Sequence, residues 1–168
     1  MLDKSKMPRM IPIPFANGES HRKWMLTEEW FFHGWGDCAI LIEKDFIFNG
    51  ASIPKVFSNV FASTGILFLA ALIHDHLYQY RWMWIIENCD SERKKFYVSR
   101  DLADVIFGEI ALISYPNNRK SIWLAKTLLS AGGSSAWNSC RKIEGNYVPP
   151  KPPDGFDENY ATKEHWDD

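Results

Sequence analysis

The chain has 168 residues, enough for one domain with a real core, and its 46% hydrophobic and 24% charged residues are ordinary globular composition. A net charge of −2 supplies no overall field for nucleic acid, so no nucleic-acid partner is expected. Cys38, Cys89 and Cys140, an odd and widely spaced set, form neither a disulfide framework nor a zinc ribbon and fit a reducing compartment. The first residues lack an apolar core, and the longest apolar run, Ile66 to Ile73, is too short to span a bilayer. Neither a signal peptide nor a transmembrane segment is expected.

In chain order, residues 1–20 hold Pro8, Pro12, Pro14 and Gly18 and read as an irregular arm. Residues 24–34 and 37–48, rich in β-branched and aromatic side chains, read as two strands joined near Gly34 and Gly36. FNGASIP, residues 48–54, reads as a turn, with Pro54 opening a short helical piece. Residues 65–80 are apolar on nearly every side, the pattern of a helix buried on most faces. Residues 82–87 and 95–98 read as a second hairpin. Ser99 is a good N-cap for a helix over about residues 100–115, which Pro116 ends. A further helix is expected over 119–131, broken by Gly132 and Gly133, with the stretch to Cys140 open to being helical again. The stretch VPPKPPDG reads as a polyproline-like spacer before an acidic tail.

These elements predict an α+β fold with two long antiparallel helices, small antiparallel β hairpins and an extra C-terminal helix. The expected organisation is an arm over 1–20, one globular domain over 21–145, and a spacer and tail over 146–168.

Polar residues interrupt the first helix abruptly at His74, Asp75 and His76. Helical spacing puts Leu67, Ala70, Ala71, His74 and Tyr78 on one face, and Asp104, Gly108 and Ala111 on one face of the second helix. Packing these faces together would set Asp104 against His74, where a carboxylate fixes the imidazole tautomer and stabilises the imidazolium. Tyr78 would donate its hydroxyl to Asp104. Asp75, a quarter turn away, would face the loop carbonyls of residues 49–52 as a hard-cation ligand. Buried His-Asp pairs also pin helices without doing chemistry, so spacing alone leaves the role open.

The segment HDHLY, His74 to Tyr78, fits H-D-x-x-Y, and Asp104 to Phe107 fits D-x-x-F on a second helix. The pair resembles the catalytic helices of phospholipase A2, most closely its cysteine-poor prokaryotic and viral branches. The chain also resembles a family found in tailed phages and prophages (domain of unknown function 1353). That family shows F-x-T-D-x-A-S-I-P, then H-D-x-L-Y, then R-x-x-A-D-x-I-F. Here these read FIFNGASIP (46–54), HDHLY (74–78) and SRDLADVIF (99–107), in the same order, within a resemblance covering roughly residues 24–137.

The phospholipase resemblance implies a hydrolase in which His74 activates water for attack on an ester. Asp104 and Tyr78 would orient His74, and Ca²⁺ on Asp75 and the Asn49–Gly50 loop would stabilise the oxyanion. The implied substrate is a lipid or other ester, and the implied location is the host cytoplasm after synthesis, or the virion. Two departures stand out. No Y-G-x-G-type calcium loop precedes the helix, and Asn49 replaces the family's usual Asp. His76 is extra to the pattern and reads as a surface or supporting residue more than as a metal ligand. Two alternatives compete. One is a virion or host-interaction protein on an inactive hydrolase scaffold, with a phage or host protein as partner. The other is an HD-type metal-dependent phosphohydrolase using His33, His74, Asp75 and Asp104.

Overall fold

The computed structural model describes residues 7–13, 23–48, 67–87 and 92–139. Among them, seven strands form two antiparallel sheets, and three α-helices carry most of the remainder. The strands are β1 (Met10–Ile13), β2 (Lys23–Leu26), β3 (Trp30–Trp35), β4 (Cys38–Ile42), β5 (Ile47–Phe48), β6 (Trp82–Glu87) and β7 (Lys94–Tyr97). The helices are α1 (Phe68–Tyr80), α2 (Arg100–Ser114) and α3 (Arg119–Ser139).

The first sheet has the order β1-β2-β5 and the second β3-β4-β6-β7. Each of the two strands expected over 24–34 and 37–48 is split between the sheets. The breaks fall at Thr27-Glu28-Glu29 and at Glu43-Lys44-Asp45, where charged residues interrupt the apolar alternation. Asp45 adopts a left-handed φ of 66°, which turns the chain out of one sheet and into the other. The arm expected to be irregular supplies β1. Its Pro12 pairs with Trp24 at the sheet edge, where a residue without an N–H is tolerated.

Strand β4 runs between β3 and β6, and Ala39, Ile40, Leu41 and Ile42 are all buried. The β3–β4 hairpin contains a register shift between His33 and Trp35, with Gly34 between them at φ 101° and Gly36 in the turn at φ 61°. Both are left-handed angles that glycine adopts without penalty. At the other edge, β7 exposes Lys94 and Lys95, charges that discourage further strand pairing.

Helix α1 is buried almost all round, as its apolar circumference requires. It ends at Arg81, whose φ of 63° lets its N–H bond the carbonyl of Leu77 and turns the chain directly into β6. Helix α2 begins at Ser99, whose hydroxyl accepts from the Leu102 N–H. Its other anchor is the indole of Trp35 on β3, which donates to Glu109 over 2.8 Å. The core combines Phe32, Ile40, Ile42 and Phe48 of the sheets and Phe46 of the β4–β5 connection with Leu72, Ile73, Leu77, Ile106, Ile110 and Ile122 of the helices.

The expected pair of long antiparallel helices with small hairpins is not the fold. The helices bearing the His-Asp residues have 13 and 15 residues, each only about 20 Å long. The longest helix is the C-terminal α3, with 21 residues. The strands are joined into sheets of three and four rather than left as separate hairpins. Hairpins cannot stay separate here because each presents an apolar face that needs a neighbour to cover it. The break expected at Gly132 and Gly133 is also absent: α3 runs through both to Ser139. Of the turn expected over 48–54, Phe48 ends β5 and the rest lies outside the described residues, as do the expected spacer and tail over 146–168.

Candidate active site

Helix α1 packs on α2 and brings together three of the polar residues singled out above. His74 Nε2 lies 2.9 Å from Asp104 Oδ1, and the Tyr78 hydroxyl donates to the same oxygen over 2.8 Å. All three side chains are buried, with His74 only 5% exposed and Asp104 2%. The phenol of Tyr78 lies against the His74 ring at a centroid distance of 4.1 Å, and Phe107 meets its edge at 5.4 Å. His74 thus stands in an apolar frame with Asp104 as its hydrogen-bonding partner among the described residues. Because Asp104 accepts at Nε2, the neutral ring carries its proton there and leaves Nδ1 as the acceptor.

Burial by itself would raise the Asp104 pKa. The hydrogen bonds from His74 and Tyr78, with the charge of His74, outweigh it and hold the carboxyl below its ordinary value. Tyr78 is pushed the opposite way by burial and by the Asp104 carboxylate, so it remains a neutral donor. Asp104 Oδ2 is buried and has no hydrogen-bond partner among the described residues.

Helix α3 closes this site from the side. The edge of Tyr78 meets the Trp137 ring at 5.0 Å, and Arg81 stacks on that ring at 4.9 Å. A Cβ built on Gly133 would overlap the Tyr78 hydroxyl. The missing side chain at Gly133 is therefore what lets the phenol sit where it reaches Asp104. Local propensity predicts a helix break at this glycine and gives no sign of its packing role. Gly108, expected on the face that packs against α1, instead faces Lys126 of α3.

Sequence reasoning also missed a second buried pair. His76 is fully buried, not at the surface, and its Nε2 lies 3.1 Å from Glu43 Oε2. The indole of Trp84 donates to the other oxygen of Glu43. Phe46, Tyr80 and Trp82 surround the His76 ring, with centroids at 5.0, 4.7 and 5.7 Å. The signal was legible in principle. Residues two apart on a helix point to nearly opposite faces, and a helix apolar all round buries both. Burial would raise the Glu43 carboxyl, but the His76 hydrogen bond and charge more than offset it and lower the pKa.

Both lowered carboxyls make stability acid-sensitive, with a definite sign. A carboxylate with a depressed folded pKa contributes fully above its unfolded value, and the contribution is lost as pH falls through the folded one. The ordinary values here are 3.8 for Asp104 and 4.5 for Glu43. Urea midpoints measured from pH 7 downward should therefore fall once the pH drops through the ordinary carboxylate range. Asp104→Asn should show a shallower acid limb than wild type; an identical limb would mean that Asp104 gains nothing from its partners.

Of the expected calcium ligands, only Asp75 lies within the described residues, half-buried on α1 beside His74; Asn49 and Gly50 fall outside them. A carboxylate with loop carbonyls is a hard oxygen set suited in kind to Ca²⁺. No group of three His, Cys, Asp or Glu side chains is placed to hold a metal among the described residues. His33, the upstream ligand of the phosphohydrolase alternative, is exposed on β3. No described helix is long and apolar enough to cross a membrane.

No curated protein and no solved structure matches the chain. One family model does, over residues 24–125, a span that takes in nearly all of β2, then β3 to β7, α1, α2 and the start of α3, and so Glu43, His74, Asp75, His76, Tyr78 and Asp104. That span exceeds half of the chain, and the chain belongs to the family described as protein of unknown function (DUF1353).

Proposed function

We propose that the chain is a phage-type, phospholipase A2-like hydrolase that uses His74 to activate water against an ester. The observation that supports this reading is the buried His74–Asp104–Tyr78 chain, which leaves Nδ1 of the imidazole as the proton acceptor. In the proposed reaction Nδ1 takes a proton as the water oxygen bonds to the ester carbonyl carbon. The carbonyl π electrons move to oxygen and give a tetrahedral oxyanion. Asp104 stabilises the imidazolium so formed, and Tyr78 holds Asp104 in place. Collapse of the intermediate breaks the bond to the alkoxy oxygen, which leaves as an alcohol with the proton from Nδ1. Ca²⁺, when bound by Asp75 and carbonyls of the Asn49–Gly50 loop, would supply oxyanion stabilisation. The chain would act in the host cytoplasm after synthesis.

The test is hydrolysis of a panel of acyl esters, phospholipids included, with calcium and with chelator. Wild type should hydrolyse at least one of them, and His74→Gln should be slower by at least about a hundredfold, the usual scale of a general base. Calorimetry should show calcium binding that Asp75→Asn loses. Equal rates for wild type and His74→Gln would sink the reading.

One observation favours a second reading, a virion or host-interaction protein on an inactive hydrolase scaffold. His74 is nearly closed off, and Asn49 stands where the family motif carries a carboxylate. Absence of both hydrolysis and calcium binding would select it.

A further inference from the structure

We infer that the turn end of the α2–α3 hairpin docks on an anionic membrane surface. Large apolar side chains are exposed at few places among the described residues, and four of them gather here. Leu112 and Ile113 lie in the last turn of α2, 38% and 45% exposed. Trp123 and Leu124 lie in the first two turns of α3, 67% and 38% exposed. Only Tyr115 and the short turn Pro116–Asn118 separate the two helices, so the four occupy one end of one hairpin. An indole two-thirds exposed is costly in water and well suited to the boundary between head groups and acyl chains.

The charge argues for the kind of surface. Arg119 and Lys120 are exposed beside these residues, and helical spacing puts them within the same arc of α3 as Trp123 and Leu124. From Ile110 to Ile143 the sequence contains Arg119, Lys120, Lys126, Arg141 and Lys142 and not one Asp or Glu, in a chain whose net charge is −2. Of these, Arg119 and Lys120 stand exposed at the turn end beside the exposed indole. An apolar tip flanked by two cations complements a bilayer of negative head groups: the cations are attracted from a distance and the Trp and Leu side chains insert. A neutral apolar partner would leave the cations without a counterpart.

The test is cosedimentation of the full chain with phosphatidylglycerol vesicles and with phosphatidylcholine vesicles, at low and at physiological salt. The expected result is binding to the anionic vesicles that weakens with salt, and much weaker binding to the zwitterionic ones. Trp123→Ser and the double variant Arg119→Glu with Lys120→Glu should each weaken anionic binding by at least about tenfold. All these positions are exposed, so thermal midpoints should stay near wild type, separating lost docking from lost folding. Absence of vesicle binding, or unchanged binding by both variants, overturns the inference. So does a dimer in light scattering that Trp123→Ser converts to monomer, because the tip would then be a self-association surface. Vesicle binding is read without any hydrolysis, so this result and the ester assay fail independently.

Discussion

Asp104→Ala is expected to lower the unfolding free energy by about 3–5 kcal/mol, the range for breaking a buried pair by removing one partner. The carboxylate accepts from both His74 and Tyr78 through one oxygen. Its loss strands two polar groups in a frame only 5% and 6% exposed, where water cannot replace the acceptor. Asp104→Asn should cost less, because the amide oxygen can still accept from one of the two groups. Urea unfolding followed by far-UV circular dichroism would measure both. A shift of the midpoint at constant slope would place the effect in the native state. A cost below about 1 kcal/mol for Asp104→Ala would mean that His74 and Tyr78 find other partners, and the triad would lose its claim to be a built site.

The second large effect is expected at Gly133, and its sign runs against helix propensity. In an exposed helix interior, Gly→Ala stabilises by about 1 kcal/mol. Here the added methyl would overlap the Tyr78 hydroxyl and force the phenol off Asp104. Gly133→Ala should therefore destabilise by up to about 3 kcal/mol, the cost of overpacking together with a broken buried hydrogen bond. The overlap is with the hydroxyl; the ring carbons behind it lie at 3.4 and 3.7 Å, ordinary contact. Tyr78→Phe should then rescue most of the loss. In the Tyr78→Phe background, Gly133→Ala should be near neutral or stabilising, giving a double-mutant coupling of at least about 2 kcal/mol. Additive effects would show that α3 does not press on Tyr78.

The His-Asp arrangement was legible in the sequence because it depends on two short helices and their spacing. The four-residue spacing from His74 to Tyr78 puts both on one face. Ser99 marks the start of α2 and so sets the turn on which Asp104 falls. The buried circumference of α1 followed from its lack of a polar face, and the strands β6 and β7 followed from local β-branched and aromatic content.

Tertiary structure alone decided the rest. Periodicity cannot tell which of two sheets an apolar strand joins, because both offer a buried face of the same chemistry; the chain changes sheets at Thr27–Glu29 and Glu43–Asp45. The fate of Gly133 could not be read locally either. Glycine lowers helix propensity wherever it stands, but packing against α1 outweighs that cost, and the space it leaves is what Tyr78 occupies. His76 found Glu43 across 33 positions of sequence through sheet and helix packing that no single segment encodes. Local spacing thus determined which polar residues share a helix face, since that needs only the backbone period. That Glu43 is the carboxylate His76 meets, and that Gly133 is the glycine that makes room, depended on how separately formed elements close around one core.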